Sequence, residues 1–153
     1  MKPLLVGTDN PYQRDEETAM RYALHPDPPH ASGGRLCHLI MGITERDYLR
    51  WFDRTDLCHP RWSLPAAREK AARLVGERTN TDVIVLCGSK VAQAFGVAYR
   101  PFSVHVTPTG PRLLILPHPS GLNRLWHAPS SVAEARSALR RAGVLPPLKE
   151  ESQ

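Results

Sequence analysis

A histidine and a serine two residues apart, at the end of an apolar run, carry the clearest chemical signal in this chain. Leu113-Leu114-Ile115-Leu116 has the character of a strand buried on both faces, and polar chemistry can begin only at the end of such a strand. The loop that follows, Pro117-His118-Pro119-Ser120-Gly121-Leu122-Asn123-Arg124, offers a proton donor, a hydroxyl, a bare backbone, a leucine and a cation. Those groups suit a site that holds a phosphate backbone and acts on something attached to it. Two other strand ends are chemically unusual: Gly7-Thr8-Asp9-Asn10-Pro11-Tyr12 and Cys87-Gly88-Ser89-Lys90.

The elements that must position these loops alternate between strand and helix. Strand character falls on Leu4 to Gly7, Asp82 to Cys87, Val104 to Val106 and Arg112 to Leu116. Helical patterns run over Asp15 to Leu24, Arg35 to Ile43, a segment opened by Thr44 as N-cap, Leu64 to about Gly76, Lys90 to Phe95, and Pro129 to Ala142. His25 to Gly34 reads as loop from its density of Pro and Gly, and Asp53 to Trp62 reads as irregular and polar. The expected architecture is α/β, three layers α/β/α around a central, mainly parallel, four-stranded sheet. Ligands of open parallel sheets sit at the carboxyl ends of the strands, so the three unusual loops are expected at one crevice.

The chain has 153 residues, enough for one domain with a real core, placed here at 1–145 with 146–153 as a frayed polar tail. No apolar run approaches a membrane span, and Met1 to Gly7 is too short for a secretory signal, so a cytoplasmic monomer is expected. The net charge of +5 suits a polyanionic partner. Cys37-His38 and Cys58-His59 repeat a metal-capable pair, but the usual zinc spacing is missing. Three cysteines cannot supply the four thiolates of an iron–sulfur cluster. Neither a metal nor a cofactor is expected.

Taken together, the three strand ends resemble the uracil-DNA glycosylase superfamily. Gly7-Thr8-Asp9-Asn10-Pro11-Tyr12 is similar to that family's first motif, a Gly-x-Asp-Pro-Tyr or Gly-x-Asn-Pro loop. His118-Pro119-Ser120-Gly121-Leu122-Asn123 is similar to its second, and Val85 to Lys90 to the strand and Gly-Ser turn between them. The first motif differs by one residue. If Asp9 matches the family aspartate, Asn10 is an insertion; if Asn10 matches the asparagine of the mismatch-specific branch, the insertion follows Gly7. Both side chains could orient a water, and a carboxylate could also stabilise a cationic sugar.

The resemblance implies hydrolysis of the bond between a base and deoxyribose in DNA, single- or double-stranded. Asp9 or Asn10 would stabilise the sugar and position water, and His118 would donate to the leaving base. Tyr12 would border the base and Phe52 would stack on it. Leu122 would fill the vacated stack, because base chemistry takes place outside it. Ser89, Lys90, Ser120, Gly121, Asn123 and Arg124 would hold the phosphate backbone. Asp56 falls where uracil-specific members carry an asparagine that reads the base. A carboxylate only accepts hydrogen bonds, so Asp56 would oppose the O4 of uracil and suit the N4 amine of cytosine, unless it is protonated. Two other readings remain open: a nucleic-acid-binding protein that keeps the fold without catalysis, and an enzyme acting on free nucleosides or nucleotides.

Overall fold

The computed structural model describes residues 1–10 and 15–148. One sheet organises the molecule. Its strands are β1 (Leu4–Asp9), β2 (Asp53–Cys58), β3 (Val83–Cys87), β4 (Val104–His105) and β5 (Arg112–Leu116), in the order β2-β1-β3-β5-β4. All neighbours are parallel except β4, which runs antiparallel along the β5 edge. The helices are α1 (Glu16–Arg21), α2 (Ser32–Gly34) running into a π-helical turn at Arg35–Met41, α3 (Glu45–Trp51), α4 (Leu64–Gly76), α5 (Ser89–Ala94) and α6 (Pro129–Arg141). A 3-10 turn, Arg124–His127, precedes α6.

Successive strand residues enter opposite cores, as the two-residue period of a strand requires. Leu5, Val85, Leu114 and Leu116 join Leu36, Ile40, Tyr48, Trp126 and Leu139 on one face. Val6, Ile84, Leu86 and Ile115 join Leu57, Ala67, Ala71 and Val91 on the other. A sheet covered on both faces accounts for the near-continuous apolar runs of β1, β3 and β5. The expected cap at Thr44 is present, its Oγ1 accepting from Asp47 N at 3.1 Å, and Ser63 caps α4 with its Oγ accepting from Ala66 N at 3.4 Å.

Three expectations need correction. The sheet has five strands, because Asp53–Cys58 is a strand rather than irregular chain. It is an edge strand whose polar residues are answered by tertiary partners: Arg54 Nη1 donates to Ala23 O at 2.8 Å, and Lys70 Nζ to Thr55 Oγ1 at 2.9 Å. The expected loop His25 to Gly34 ends early, since Ser32–Gly34 is helical. A Cβ at Gly33 would collide with the backbone carbonyls of Leu24 and His25, so the missing side chain permits close packing rather than a turn. Helix α1 stops at Arg21, before Leu24, whose φ of 48° is left-handed. Tyr48 Oη holds Leu24 in that conformation by donating to its carbonyl at 2.7 Å.

Candidate active site

The carboxyl ends of β1, β3 and β5 lie side by side, since β3 pairs with both neighbours. A cavity of about 350 Å³ opens beside them, a size typical of small-molecule sites. Gly7, Thr8 and Asp9 line it from β1, Asn10 from just beyond that strand, Asp56 from β2, and His118 from the loop after β5. The segment from Tyr22 to Gly33 closes the opposite wall. A smaller cavity of about 280 Å³, lined by Thr8, Gly88, Ser89, Lys90 and His118, adjoins it, so His118 borders both.

His118 is fixed from several directions. Its Nδ1 accepts from the backbone N–H of Ser120 at 3.1 Å, which leaves Nε2 to carry the proton of the neutral ring. Its carbonyl accepts from Trp126 Nε1 at 2.8 Å and from Asn123 Nδ2 at 3.0 Å. Arg35 Nε adds a bond to the Pro119 carbonyl at 3.1 Å. On the opposite side the ring passes Gly88, whose φ of 104° and ψ of 169° lie in a region essentially reserved for glycine. A Cβ there would stand 3.2 Å from both Cβ and Cδ2 of His118. Burial lowers the His118 pKa, the charge of Asp9 opposes that shift, and Lys90 adds to it.

Three carboxyl groups line the cavity, Asp27 from the wall of loop and Asp9 and Asp56 from the sheet. Asp9 ends β1 and Asp56 lies one strand away, paired in register with Gly7. Asp56 is 4% exposed, and burial, reinforced by the charge of Asp9 and offset by Lys70, raises its pKa to about 7. Gly7 is required by this neighbour, because a Cβ would collide with Asp56 Oδ1. Lys70 Nζ is directed elsewhere, to the Asp56 carbonyl at 2.6 Å and Thr55 Oγ1 at 2.9 Å. Asn10 borders the same cavity and its Nδ2 donates to the Ala19 carbonyl at 3.4 Å.

The other residues expected at the site divide by position. Leu122 is 93% exposed and packs on no core. Arg124, Lys90, Ser89 and Gly121 are also exposed, and Lys90 Nζ lies 5.8 Å from the centre of the Trp62 ring. Ser120 is half-buried, and its hydroxyl oxygen accepts from Leu122 N at 3.1 Å, leaving the O–H free to donate. Asn123 turns inward: besides its bond to His118 O, its Oδ1 accepts from Leu125 N at 3.2 Å and caps the 3-10 turn. Its amide serves the loop and not an outside partner. Phe52 is not a stacking surface of this cavity. It is 3% exposed and packs edge-on to Tyr48 and Trp51 in the core. Tyr12 lies outside the described residues, as does 149–153 of the expected tail.

Several site residues had no signature in the sequence. Tyr22, Leu24, His25 and Asp27 line the cavity from a segment that reads only as a helix end and a proline-rich loop. Arg35 and Trp126 steady the His118 loop through contacts set by tertiary packing. The His-Pro pair occurs three times, at His25-Pro26, His59-Pro60 and His118-Pro119, and so does not by itself single out His25.

The Cys-His pairs are separated by the sheet, Cys37 being in one core and Cys58 in the other. Among the described residues no three His, Cys, Asp or Glu side chains gather as ligands, and no helix is long and apolar enough to cross a membrane. No protein-family model matches the chain, and no curated protein matches its sequence.

Proposed function

We propose that this chain is a monofunctional DNA glycosylase with a uracil-DNA glycosylase-like fold, acting on a deaminated, mismatched or modified base turned out of DNA. The observation that carries the reading is a neutral imidazole, His118, held with its proton on Nε2 at a cavity that also contains Asp9. Breaking the C1′–N bond sends the electron pair to the base and leaves an oxocarbenium-like sugar, so opposite demands arise on its two sides. His118 Nε2–H donates to the oxygen of the leaving base and steadies its charge. Asp9 faces the sugar and directs a water to C1′, which gains the hydroxyl while the water's proton passes to solvent and the base is released.

Asp9 suits this role better than Asn10, whose amide is engaged with the Ala19 carbonyl. The exposed Leu122, four residues from His118 in the same loop, enters the vacated stack. Lys90 and Arg124, both exposed, neutralise phosphates, and the Ser120 hydroxyl donates to one.

The test is a panel of single- and double-stranded oligonucleotides carrying uracil, a G·T mismatch, 5-hydroxymethyluracil or modified cytosines, incubated with the protein and then treated with alkali. Strand breaks that vanish in Asp9→Ala and His118→Ala are expected. Salt-sensitive binding with no breaks on any base would replace the proposal with a non-catalytic DNA-binding protein. Base release from free nucleosides alone would replace it with a nucleoside hydrolase.

A further inference from the structure

Arg35 opens the π-helical turn, and the two residues after it, Leu36 and Cys37, are fully buried. Its backbone N–H donates to the Ala31 carbonyl at 2.8 Å. The turn is therefore anchored in the core, and the Arg35 side chain reaches outward from a fixed base. Its Nε donates to the Pro119 carbonyl at 3.1 Å, across 84 positions of sequence. The side chain then runs along Gly121, with Cδ, Nε and Cζ 3.7, 3.8 and 3.9 Å from where a Cβ of that residue would lie. Gly121 leads directly to Leu122, which is 93% exposed.

One donor of the guanidinium is thus engaged with the loop. The two Nη groups make no hydrogen bond or ion pair among the described residues. They belong to a half-buried side chain that folding has already immobilised, so a partner meeting them orders little that is not ordered beforehand.

Resting on the glycosylase reading, we propose that Arg35 anchors the Leu122 loop to DNA: Nε holds the Pro119 carbonyl while the Nη groups take one phosphate of the strand that Leu122 enters. A guanidinium can do both at once, because its donors point in different directions within one plane; a single ammonium is a point charge without that fork. A phosphate fits this position better than a base edge. The guanidinium lies against the loop backbone at Gly121, whereas the leucine next to it is the group that enters the stack. Arg124, exposed and two residues beyond Leu122, supplies charge from the loop itself. Arg35 differs in being tied to a loop carbonyl from another element, so a phosphate held there also restrains Leu122. The contact positions the strand and reads no sequence.

Binding of undamaged duplex DNA tests this without requiring excision. Affinity is measured by fluorescence anisotropy over a series of KCl concentrations, and the slope of log K against log salt counts the phosphates neutralised. Arg35→Gln should make that slope shallower by about 0.9, the value of one phosphate contact on duplex DNA. Arg35→Lys, which keeps the charge, should regain most of it. A loop that is merely loosened would weaken binding at every salt concentration and leave the slope as it was. Arg141→Gln should not change the slope, since α6 starts just after the loop and its 13 residues carry Arg141 roughly 18 Å from the helix start. In the unaltered protein, phenylglyoxal modification of arginines, read by peptide mass, should be slowed by duplex DNA at Arg35 and not at Arg141.

A slope that Arg35→Gln leaves unchanged, that Arg35→Lys does not regain, or that Arg141→Gln lowers equally overturns the role of Arg35 while leaving the glycosylase reading intact. Modification of Arg35 that DNA does not slow has the same force, and it decides the matter if Arg35→Gln fails to fold. Absence of binding to any DNA, with no base released across the wider panel, overturns that reading and this inference with it.

Discussion

The backbone N–H of Ser120 points at Nδ1 of His118, 3.1 Å away, and so decides which ring nitrogen bears the proton. A second proton on the ring would set two N–H groups against each other. Burial and Lys90 already hold the His118 pKa below its ordinary value of 6.5. The neutral form therefore persists below that pH, and its contribution to stability is present above 6.5 and lost as pH falls through the depressed pKa. The acid limb of kcat/KM should lie below 6.5. Imidazole nitrogen NMR should show an unprotonated Nδ1 at neutral pH. Replacing His118 by Ala should lower kcat by about 10²- to 10³-fold, the usual loss for one preorganised donor.

Asp56 contributes to stability with the opposite sign. Its folded pKa is raised from 3.8 to about 7, so its favourable contribution is complete below 3.8 and is lost as pH rises through 7. Asp56→Asn should match the unaltered protein in thermal stability near pH 4 and exceed it near pH 8. The gain should be on the order of 2–4 kcal/mol, the equivalent of a shift this large at a buried site. Denaturant melts at the two pH values measure it.

Leu122 separates binding geometry from folding. At 93% exposed it supports no core, so Leu122→Ala should change stability by less than about 0.5 kcal/mol. Excision from duplex DNA should nevertheless fall at least about tenfold, while excision from single strands, which have less stacking to replace, stays within about threefold. Parallel rates on the two substrates, with a melting curve as control, check this.

Gly88 constrains the His118 ring through a backbone conformation reserved for glycine. Alanine there must adopt φ near 104° and push on His118 from 3.2 Å. Gly88→Ala should destabilise by about 1–3 kcal/mol and lower kcat beyond what the lost folded fraction explains, because the displaced group is the imidazole. Unfolding curves and single-turnover rates on the same preparation separate the two effects.

Much of this geometry is legible in the sequence, for a physical reason. The runs Leu4 to Val6, Val83 to Cys87 and Leu113 to Leu116 are apolar because both faces of the sheet are covered. Their polar ends therefore converge wherever parallel pairing aligns them. β2 is hidden for the converse reason. As an edge strand it can carry Asp53, Arg54, Thr55 and Asp56, whose partners Ala23 O and Lys70 are distant in the chain and leave no local pattern. The wall from Tyr22 to Asp27 is equally silent, since the left-handed turn at Leu24 is imposed by Tyr48 and not by its own residue type. The resemblance implies a place for Phe52 against the base. The end of α3 instead turns it into the core, while the next strand delivers Asp56 to the cavity.

In the proposed reaction His118 and Asp9 together hydrolyse a base–sugar bond in DNA. Mass spectrometry of a uracil- or modified-base oligonucleotide after incubation measures that bond directly. Free base and an intact strand in which one water has replaced the base are expected in equal amounts, with both products lost in His118→Ala and in Asp9→Ala. An unchanged oligonucleotide across the whole panel, or products that persist undiminished in both variants, would contradict it.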